Sequence, residues 1–254
     1  MTPSPTPLAL VTGSSRGLGR SMAIHLARRG ADVIVTYQGN AEAAAEVVEA
    51  IHAEGRKAVA LRLDTGAVAG FPAFKVSVIE AMAAMGHDKL DYLVNNAGFG
   101  VHATFEDTTE AQFDALVNVH VKGVFFLTQA LLPLIADGGR IVMLSSGLTR
   151  LTLPWYPAYG MMKGAVEQLT RYLAKVLGAR RITVNTVAPG AIETDFAGGV
   201  VRDNAQMNAQ IASITAMGRV GLPDDIGAAV ADLLTGQFGW VTGQRIEVSG
   251  GQGI

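Results

Sequence analysis

Short runs of apolar and β-branched residues alternate with longer stretches of helical period from Leu8 to Val248, and few folds accommodate that pattern. A strand buried on both faces reads as an unbroken apolar run, and a parallel neighbour can be reached only through a crossover, usually a helix. The expected strands are Leu8–Val11, Asp32–Thr36, Lys57–Leu63, Asp91–Asn95, Arg140–Ser145, Ile182–Val187 and Arg245–Val248. Helices are expected near Leu18–Arg29, Ala41–Ala53, Phe71–Met85, Glu110–Ile135, Tyr159–Leu177 and Asp224–Leu234. Right-handed crossovers at each step give an α/β fold, a doubly wound and mostly parallel sheet with helices on both faces. With 254 residues, no Pro/Ser-rich linker and no repeat, the whole chain reads as one domain.

Composition removes several function classes. Twenty Lys+Arg against 22 Asp+Glu, with no run of like charge, gives no footprint for nucleic acid or an anionic membrane. The absence of cysteine excludes disulfides, thiol catalysis and cysteine-ligated metals, and fits a reducing cytoplasm; no metal site is expected. The first seven residues carry three prolines and no basic or apolar signal region, so residues 1–6 read as a frayed lead-in. The longest membrane-like stretch, Gly123 to Ala136, is fourteen residues long and includes Thr, Gln and Pro, so a soluble protein is expected.

A doubly wound sheet binds its ligand beyond the carboxyl ends of its strands. After the first strand comes Thr12-Gly13-Ser14-Ser15-Arg16-Gly17-Leu18-Gly19, and then a helix. Glycines there let phosphate approach main-chain N–H groups, and the helix N-terminus adds about half a positive charge. The expected occupant is a dinucleotide pyrophosphate held by Gly13, Ser15, Arg16, Gly17, Leu18 and Gly19. No Gly-Lys pair provides a Walker A loop. Gly13-x-Ser15-x-Gly17 also has the form of a hydrolase nucleophile elbow, but only twelve residues precede it, room for one strand where that fold needs several.

NAD selection usually needs a carboxylate at the end of the second strand. Here that end reads Tyr37-Gln38-Gly39-Asn40, while Asp32 lies at the opposite edge of the sheet. With Arg16 available to a 2′-phosphate, NADP(H) is expected over NAD(H). Asp64, after the third strand, either accepts from the adenine amino group or is a solvated turn residue.

Tyr159 and Lys163 stand four apart on one helix face. A phenol with a reference pKa near 10 is a poor proton shuttle at pH 7, and a neighbouring ammonium favours its anion. Ser146, at the end of the fifth strand, is placed to hold a carbonyl oxygen that Tyr159 protonates. Asn118, a polar residue in a long apolar helix, needs a partner.

These motifs, with Asn95-Asn96-Ala97-Gly98 and Pro189-Gly190-Ala191-Ile192-Glu193-Thr194-Asp195, occur in the order and spacing of the short-chain dehydrogenase/reductase family. The chain resembles that family from about Pro7 to Gly251, and within it the 3-oxoacyl-acyl-carrier-protein reductases. The resemblance implies a seven-stranded Rossmann-like sheet and a tetrad of Asn118, Ser146, Tyr159 and Lys163. Tyr159 would be the general acid or base and Lys163 would lower its pKa and bind the nicotinamide ribose. Ser146 would orient the substrate oxygen, and Asn118 would hold a water in a relay with Lys163. Asn96, Ala97 and Gly98 would line the adenosine ribose, Pro189 and Gly190 would border the cofactor, and Ile192 and Thr194 would meet the carboxamide. Homotetramers built through the two longest helices are the family's usual assembly. Gly160-Met161-Met162 and the long connection Gly86–Asp91 depart from the family pattern.

The expected activity is NADPH-dependent reduction of a small-molecule ketone or 3-oxoacyl group, or the reverse oxidation of an alcohol. Gly147–Ala158, Phe99–Thr104 and a lid over residues 196–217 would choose the substrate, through an apolar pocket of Leu151, Leu153, Trp155, Tyr156 and Phe99 in which Arg150 is the one cation. A catalytically silent NADP-binding module and a serine hydrolase acting through Ser15 are the alternatives.

Overall fold

Seven parallel strands in the order β3-β2-β1-β4-β5-β6-β7 form the sheet of the computed structural model, which describes residues 6–254. The expected frayed lead-in therefore lies outside the described residues, except for Thr6. The strands are β1 Leu8–Val11, β2 Asp32–Tyr37, β3 Ala58–Arg62, β4 Leu90–Asn95, β5 Ile135–Leu144, β6 Thr183–Pro189 and β7 Arg245–Val248. The helices are α1 Gly17–Arg28, α2 Ala41–Ala53, α3 Phe71–Met85, α4 Glu110–Leu116, α5 Val124–Leu131, α6 Pro157–Leu177, α7 Val200–Asp203, α8 Ala205–Ser213 and α9 Pro223–Thr235.

Each sheet face has its own core, because successive side chains of a strand point to opposite sides. Leu8, Leu10, Leu93 and Ile141 join Phe74, Val78, Leu127 and Leu131 on one face. Ala9, Val11, Val33 and Val94 join Met22, Leu26, Ile226 and Val230 on the other. The strand order reverses between β1 and β4, and the chain leaves the two strands toward opposite sides at that point, opening a crevice at their carboxyl ends.

Two expectations are corrected. The long helix foreseen over Glu110–Ile135 is divided: α4 passes into a π-helical stretch, Val117–Gly123, before α5 and a 3-10 turn at Leu132–Leu134. β5 begins five residues earlier than expected, since Ile135 pairs with Leu90 before a register shift at Ala136–Gly139. Val68–Met85 and Glu110–Leu134 are long and apolar enough to cross a membrane by length and composition, a longer span than the sequence reading found; both pack against the sheet through α3 and α5.

Gly86 ends α3 with φ +83°, a left-handed conformation open to glycine, and this shapes the long connection into β4. His87 then meets Asp32 at 2.9 Å and Arg56 meets it at 3.1 Å, so this carboxylate locks the amino edge of the sheet, far from the crevice.

Candidate functional site

The turn between β1 and α1 is fixed from beneath by hydroxyls and an amide. Thr12 Oγ1 accepts from the N–H groups of Asn96 (2.8 Å) and Ala97 (2.9 Å), and Asn96 Nδ2 donates to the carbonyls of Thr12 (2.8 Å) and Gly13 (3.1 Å). The Asn96 side chain is thus engaged in pinning the turn. Ser14, not Ser15, is the buried serine, and its hydroxyl donates to Val11 O and accepts from Thr36 N.

Gly13 and Gly17 have φ of +62° and +54°, which favours glycine at both positions. At Gly19 the reason is contact: a Cβ there would overlap the Gly13 carbonyl and lie 2.7 Å from Asn96 Nδ2. The N-terminus of α1 has no side-chain cap and no acidic residue in its first turn, leaving its N–H groups for an anion. Beside it a groove of about 410 Å³ is bounded by Gly17, Arg20, Thr194 and Asp195. Arg16 is exposed on the turn, 3.6 Å from Asp195. No carboxylate occupies the β2 end, where Asn40 caps α2 by accepting from Ala43 N. These residues fit a dinucleotide.

The other cofactor candidates divide. Asp64 is exposed and closes a turn onto Gly66 N at 2.9 Å, so one carboxylate oxygen is already engaged. Gly190 follows Pro189 where a side chain would meet Gln252 and Ser249, and Ala191 N donates to Gln252 Oε1. Ile192 sends its side chain into the core, leaving its backbone at the crevice. Thr194 faces Gly17.

Ser146, Tyr159 and Lys163 come together at the carboxyl end of β5. Lys163 is buried and donates through Nζ to Leu144 O at 2.7 Å, and its Nζ lies 5.6 Å from the centre of the Tyr159 ring. Burial pushes the Tyr159 phenol well above its ordinary value, against the pull of the Ser146 hydroxyl. Burial also pulls Lys163 down to about 8. In the protein alone the expected lowering of the phenol by the lysine is therefore reversed: desolvation outweighs an ammonium bonded to a carbonyl and itself poised to lose its proton.

Asn118 is half-buried in the π-helical stretch, and among the described residues its side chain makes no hydrogen bond. His120, from the same stretch, faces Tyr159: it is buried, its ring edge-on to Tyr159 with centroids 5.4 Å apart and its Nε2 2.7 Å from Phe99 O. Sequence reasoning also missed Glu167, whose Oε1 accepts from Ser145 Oγ (2.7 Å), Thr149 Oγ1 (2.7 Å) and Arg245 Nε (2.9 Å). The signal was available, since Tyr159, Lys163 and Glu167 succeed one another at intervals of four on α6.

The three segments expected to shape a substrate pocket converge. Phe196 packs on Tyr159 (5.6 Å between ring centres), His102 stacks on Trp155 (5.9 Å), and Ala103 N donates to Trp155 O. A pocket of about 210 Å³ lies between Leu148, Thr152, Tyr156 and Gly160. Arg150 is engaged elsewhere, bonding Glu247 and the carbonyls of Gln252 and Gly253, so it is not a free anchor for a substrate anion.

Fold and site define a nicotinamide-type oxidoreductase of Rossmann topology, and residues 13–252 match the family model described as enoyl-(acyl carrier protein) reductase. The chain belongs to the short-chain dehydrogenase/reductase family. It is 36% identical to the hydroxynaphthalene reductase-like protein Arp2 of Metarhizium brunneum, over 96% of this chain and 94% of that one. It superposes on the promiscuous reductase LugOII, which catalyses keto-reduction at C1 during lugdunomycin biosynthesis, with a TM-score of 0.92, 41% identity and 98% of each chain covered. It superposes on the angucycline C-6 ketoreductase LanV with bound NADP at a TM-score of 0.91 and 38% identity, over 97% of this chain and 95% of that one. LanV is also known with NADP and rabelomycin. The protein is an oxidoreductase acting on C=O or CH–OH groups. The hydrolase reading of Ser15 falls with this assignment, as does the silent-module reading.

Proposed function

We propose that the protein is an NADPH-dependent ketoreductase whose substrate is a flat, fused-ring aromatic ketone. The observation that carries this reading is the wall around Tyr159: Tyr156, Phe196, Phe99, His102 and Trp155 present ring faces and edges, with no free cation among them to draw a phosphopantetheine or carboxylate. Ring stacking adds to area burial for a planar ligand and gives an acyl chain little. Relatives support this reading: Arp2 is named for hydroxynaphthalene reduction, LugOII for keto-reduction at C1 during lugdunomycin biosynthesis, and LanV as a C-6 ketoreductase with bound NADP and rabelomycin. The 3-oxoacyl substrate foreseen from the sequence becomes the second reading.

NADPH bound along the glycine turn would supply the hydride. The chain's own residues do the rest. Gly17 and the α1 N-terminus would hold its pyrophosphate, and Arg16, now beside Asp195, would meet its 2′-phosphate. Ser146 holds the ketone oxygen, and Tyr159 gives that oxygen its proton as the carbon is reduced. Residues 196–217 act as the lid, hinged where Ala197, Gly198 and Gly199 all have positive φ. The exposed Phe125, Phe126 and Tyr172 on α5 and α6 support assembly into a homotetramer through these helices.

The test monitors NADPH oxidation at 340 nm with a panel of fused-ring ketones, monocyclic ketones and 3-oxoacyl thioesters. Turnover at least ten-fold more efficient with the fused-ring ketones is expected; equal or better turnover of the thioesters overturns the substrate assignment. Fluorescence titration with NADPH and NADH tests the cofactor, and tighter NADH binding overturns it.

A further inference from the structure

Residues 250–253, just beyond β7, tie together three loops around the site. They run antiparallel to the end of the lid, with Thr215 bridging Gln252. Ala216 N donates to Gly251 O at 3.1 Å, Met217 N to Gly250 O at 3.0 Å and Gly253 N to Ile214 O at 2.8 Å. The approach is close enough to require glycine at 251, where φ is +76° and a Cβ would lie 2.8 Å from Ala216 Cβ. Thr215 is buried in this pairing.

Gln252 is the node. Its Oε1 accepts from Ala191 N at 2.9 Å in the turn after β6, and a Cβ on Gly190 would lie 2.8 Å from that oxygen. Its carbonyl accepts from Arg150 Nη2 at 2.6 Å, and the Gly253 carbonyl accepts from Arg150 Nη1 at 3.2 Å. Arg150 belongs to the turn that begins at Ser146 and is itself fixed by Glu247 at 2.9 Å. Leu151, foreseen as a pocket residue, packs on the same segment: a Cβ on Gly253 would lie 2.6 Å from Leu151 Cδ2. The rest of the lid is attached differently. Neither α7 nor α8 has a buried residue, and side chains join them to the connection after β6, Arg202 to Asp195 and Asn208 Nδ2 to Glu193 at 2.7 Å.

We propose that Gln252 is a positioning residue for ketone binding: with residues 250–253 it fixes residues 214–217 to the turns after β5 and β6, as the pivot on which the lid closes. This deepens the ketoreductase reading and rests on it. It narrows the moving lid to residues 200–213, between the positive-φ hinge at residues 197–199 and the fixed pivot. A backbone pairing that is buried and bonded at both sides opens far less readily than a helix with no buried face. Because the pivot is bonded to the turn that carries Ser146, each closure brings the lid to the same place relative to the ketone. Gln252 touches no reacting atom, so its loss weakens the hold on the ketone and leaves the proton transfer from Tyr159 as it was.

Three variants and one exchange measurement test this. With parent enzyme shown to turn over the ketone, Gln252→Ala removes the acceptor for Ala191 N; its KM for ketone is expected to rise at least five-fold, with kcat within two-fold. Gln252→Glu keeps an acceptor oxygen at the same reach and is expected to return KM to within two-fold of parent. Gly251→Val presses a side chain onto Ala216 and should raise KM at least five-fold by the other half of the pairing. An unchanged KM in Gln252→Ala or Gly251→Val, a loss carried by kcat, or a Gln252→Glu enzyme no better than Gln252→Ala would overturn the proposal. The exchange measurement needs neither turnover nor a variant that folds. In the parent protein without nucleotide, amide hydrogen exchange followed by NMR should find Ala216, Met217 and Gly253 at least ten-fold more protected than residues 208–212 of α8. Equal protection, or the reverse order, overturns the fixed pivot. If the parent turns over no ketone, the ketoreductase reading has failed instead, and the exchange pattern still decides the pivot.

Discussion

Replacing Glu167 by alanine removes the acceptor on which three donors converge, and the structure sets the scale of the loss. Ser145 and Thr149 each donate to the carboxylate at 2.7 Å and Arg245 at 2.9 Å, with the Glu167 side chain 12% exposed and the Arg245 side chain 23% exposed. Hydrogen bonds to a charged group contribute about 1.5–3 kcal/mol each, and stripping one partner from a buried ion pair costs about 3–5 kcal/mol. Both figures overstate this case. Arg245 keeps Glu247 at 2.8 Å, and Thr149 already shares its hydroxyl with Ser146 O at 3.0 Å. A net loss of about 3 kcal/mol remains, equivalent to a fall in Tm of roughly 6–12 °C for a domain of this size. Because the same bonds hold the turn that carries Ser146, kcat should fall about ten-fold as well. Urea and thermal unfolding, with steady-state kinetics on the folded variant, measure both. A Glu167→Ala protein destabilised by less than about 1 kcal/mol, or one with full kcat, would refute the reasoning.

Other perturbations separate binding, chemistry and burial. Gly19→Ala places a Cβ against the Gly13 carbonyl and Asn96, so NADPH affinity measured by fluorescence should drop at least ten-fold; unchanged affinity would mean that the turn is not the pyrophosphate cradle. Tyr159→Phe removes the proton donor while keeping the ring, so turnover should fall by about 10²–10⁴-fold with NADPH affinity retained. Lys163 is pulled from 10.5 to about 8 in the folded chain, so between those pH values the unfolded state binds a proton that the native state has released. Stability must therefore rise with pH across that window, by up to about 3 kcal/mol. Urea midpoints of the nucleotide-free protein at pH 8 and pH 10 should show the rise, and Lys163→Met should abolish it.

Strands were readable because a parallel sheet covered on both faces makes them predominantly apolar: β1 and β7 fall on the expected bounds, the latter in spite of Arg245 and Glu247, and α2 and α3 match theirs. Hydrophobic period fails where hydrogen bonding departs from the α pattern. The apolar run from Glu110 onward reads as one helix, yet the wider turns of Val117–Gly123 change the phase of α5 relative to α4. On an α-helix Asn118 and His120 point about 200° apart, so only one of them can face Tyr159, and a helix phase read from sequence does not show which. The contact that seats His120, Gly98 against the imidazole, joins residues 22 apart in sequence. β5 was foreseen too short because Asp137-Gly138-Gly139 reads as a turn, although Ile135 before it already pairs with Leu90.

The reactive groups and the substrate walls are held by different parts of the chain, and that division separates chemistry from specificity. Ser146 and Tyr159 come from β5 and α6, and the bonds that fix one to the other, Lys163 Nζ to Leu144 O and Ser145 Oγ to Glu167, run directly between those two elements. Arg245 and Glu247 on β7 brace the same turn from the far side and carry it through Arg150 to the carbonyls of Gln252 and Gly253. None of these bonds touches the aromatic wall. Phe99, His102, Trp155 and Phe196 sit on connecting segments joined by ring packing and by the single Ala103–Trp155 backbone bond, contacts that tolerate exchange of one ring for another. On the proposed ketoreductase reading, substitution along the wall can therefore alter which ketone enters while leaving the hydrogen bonds between β5 and α6 in place, whereas a change in the α6 stripe breaks those bonds whichever ketone is bound.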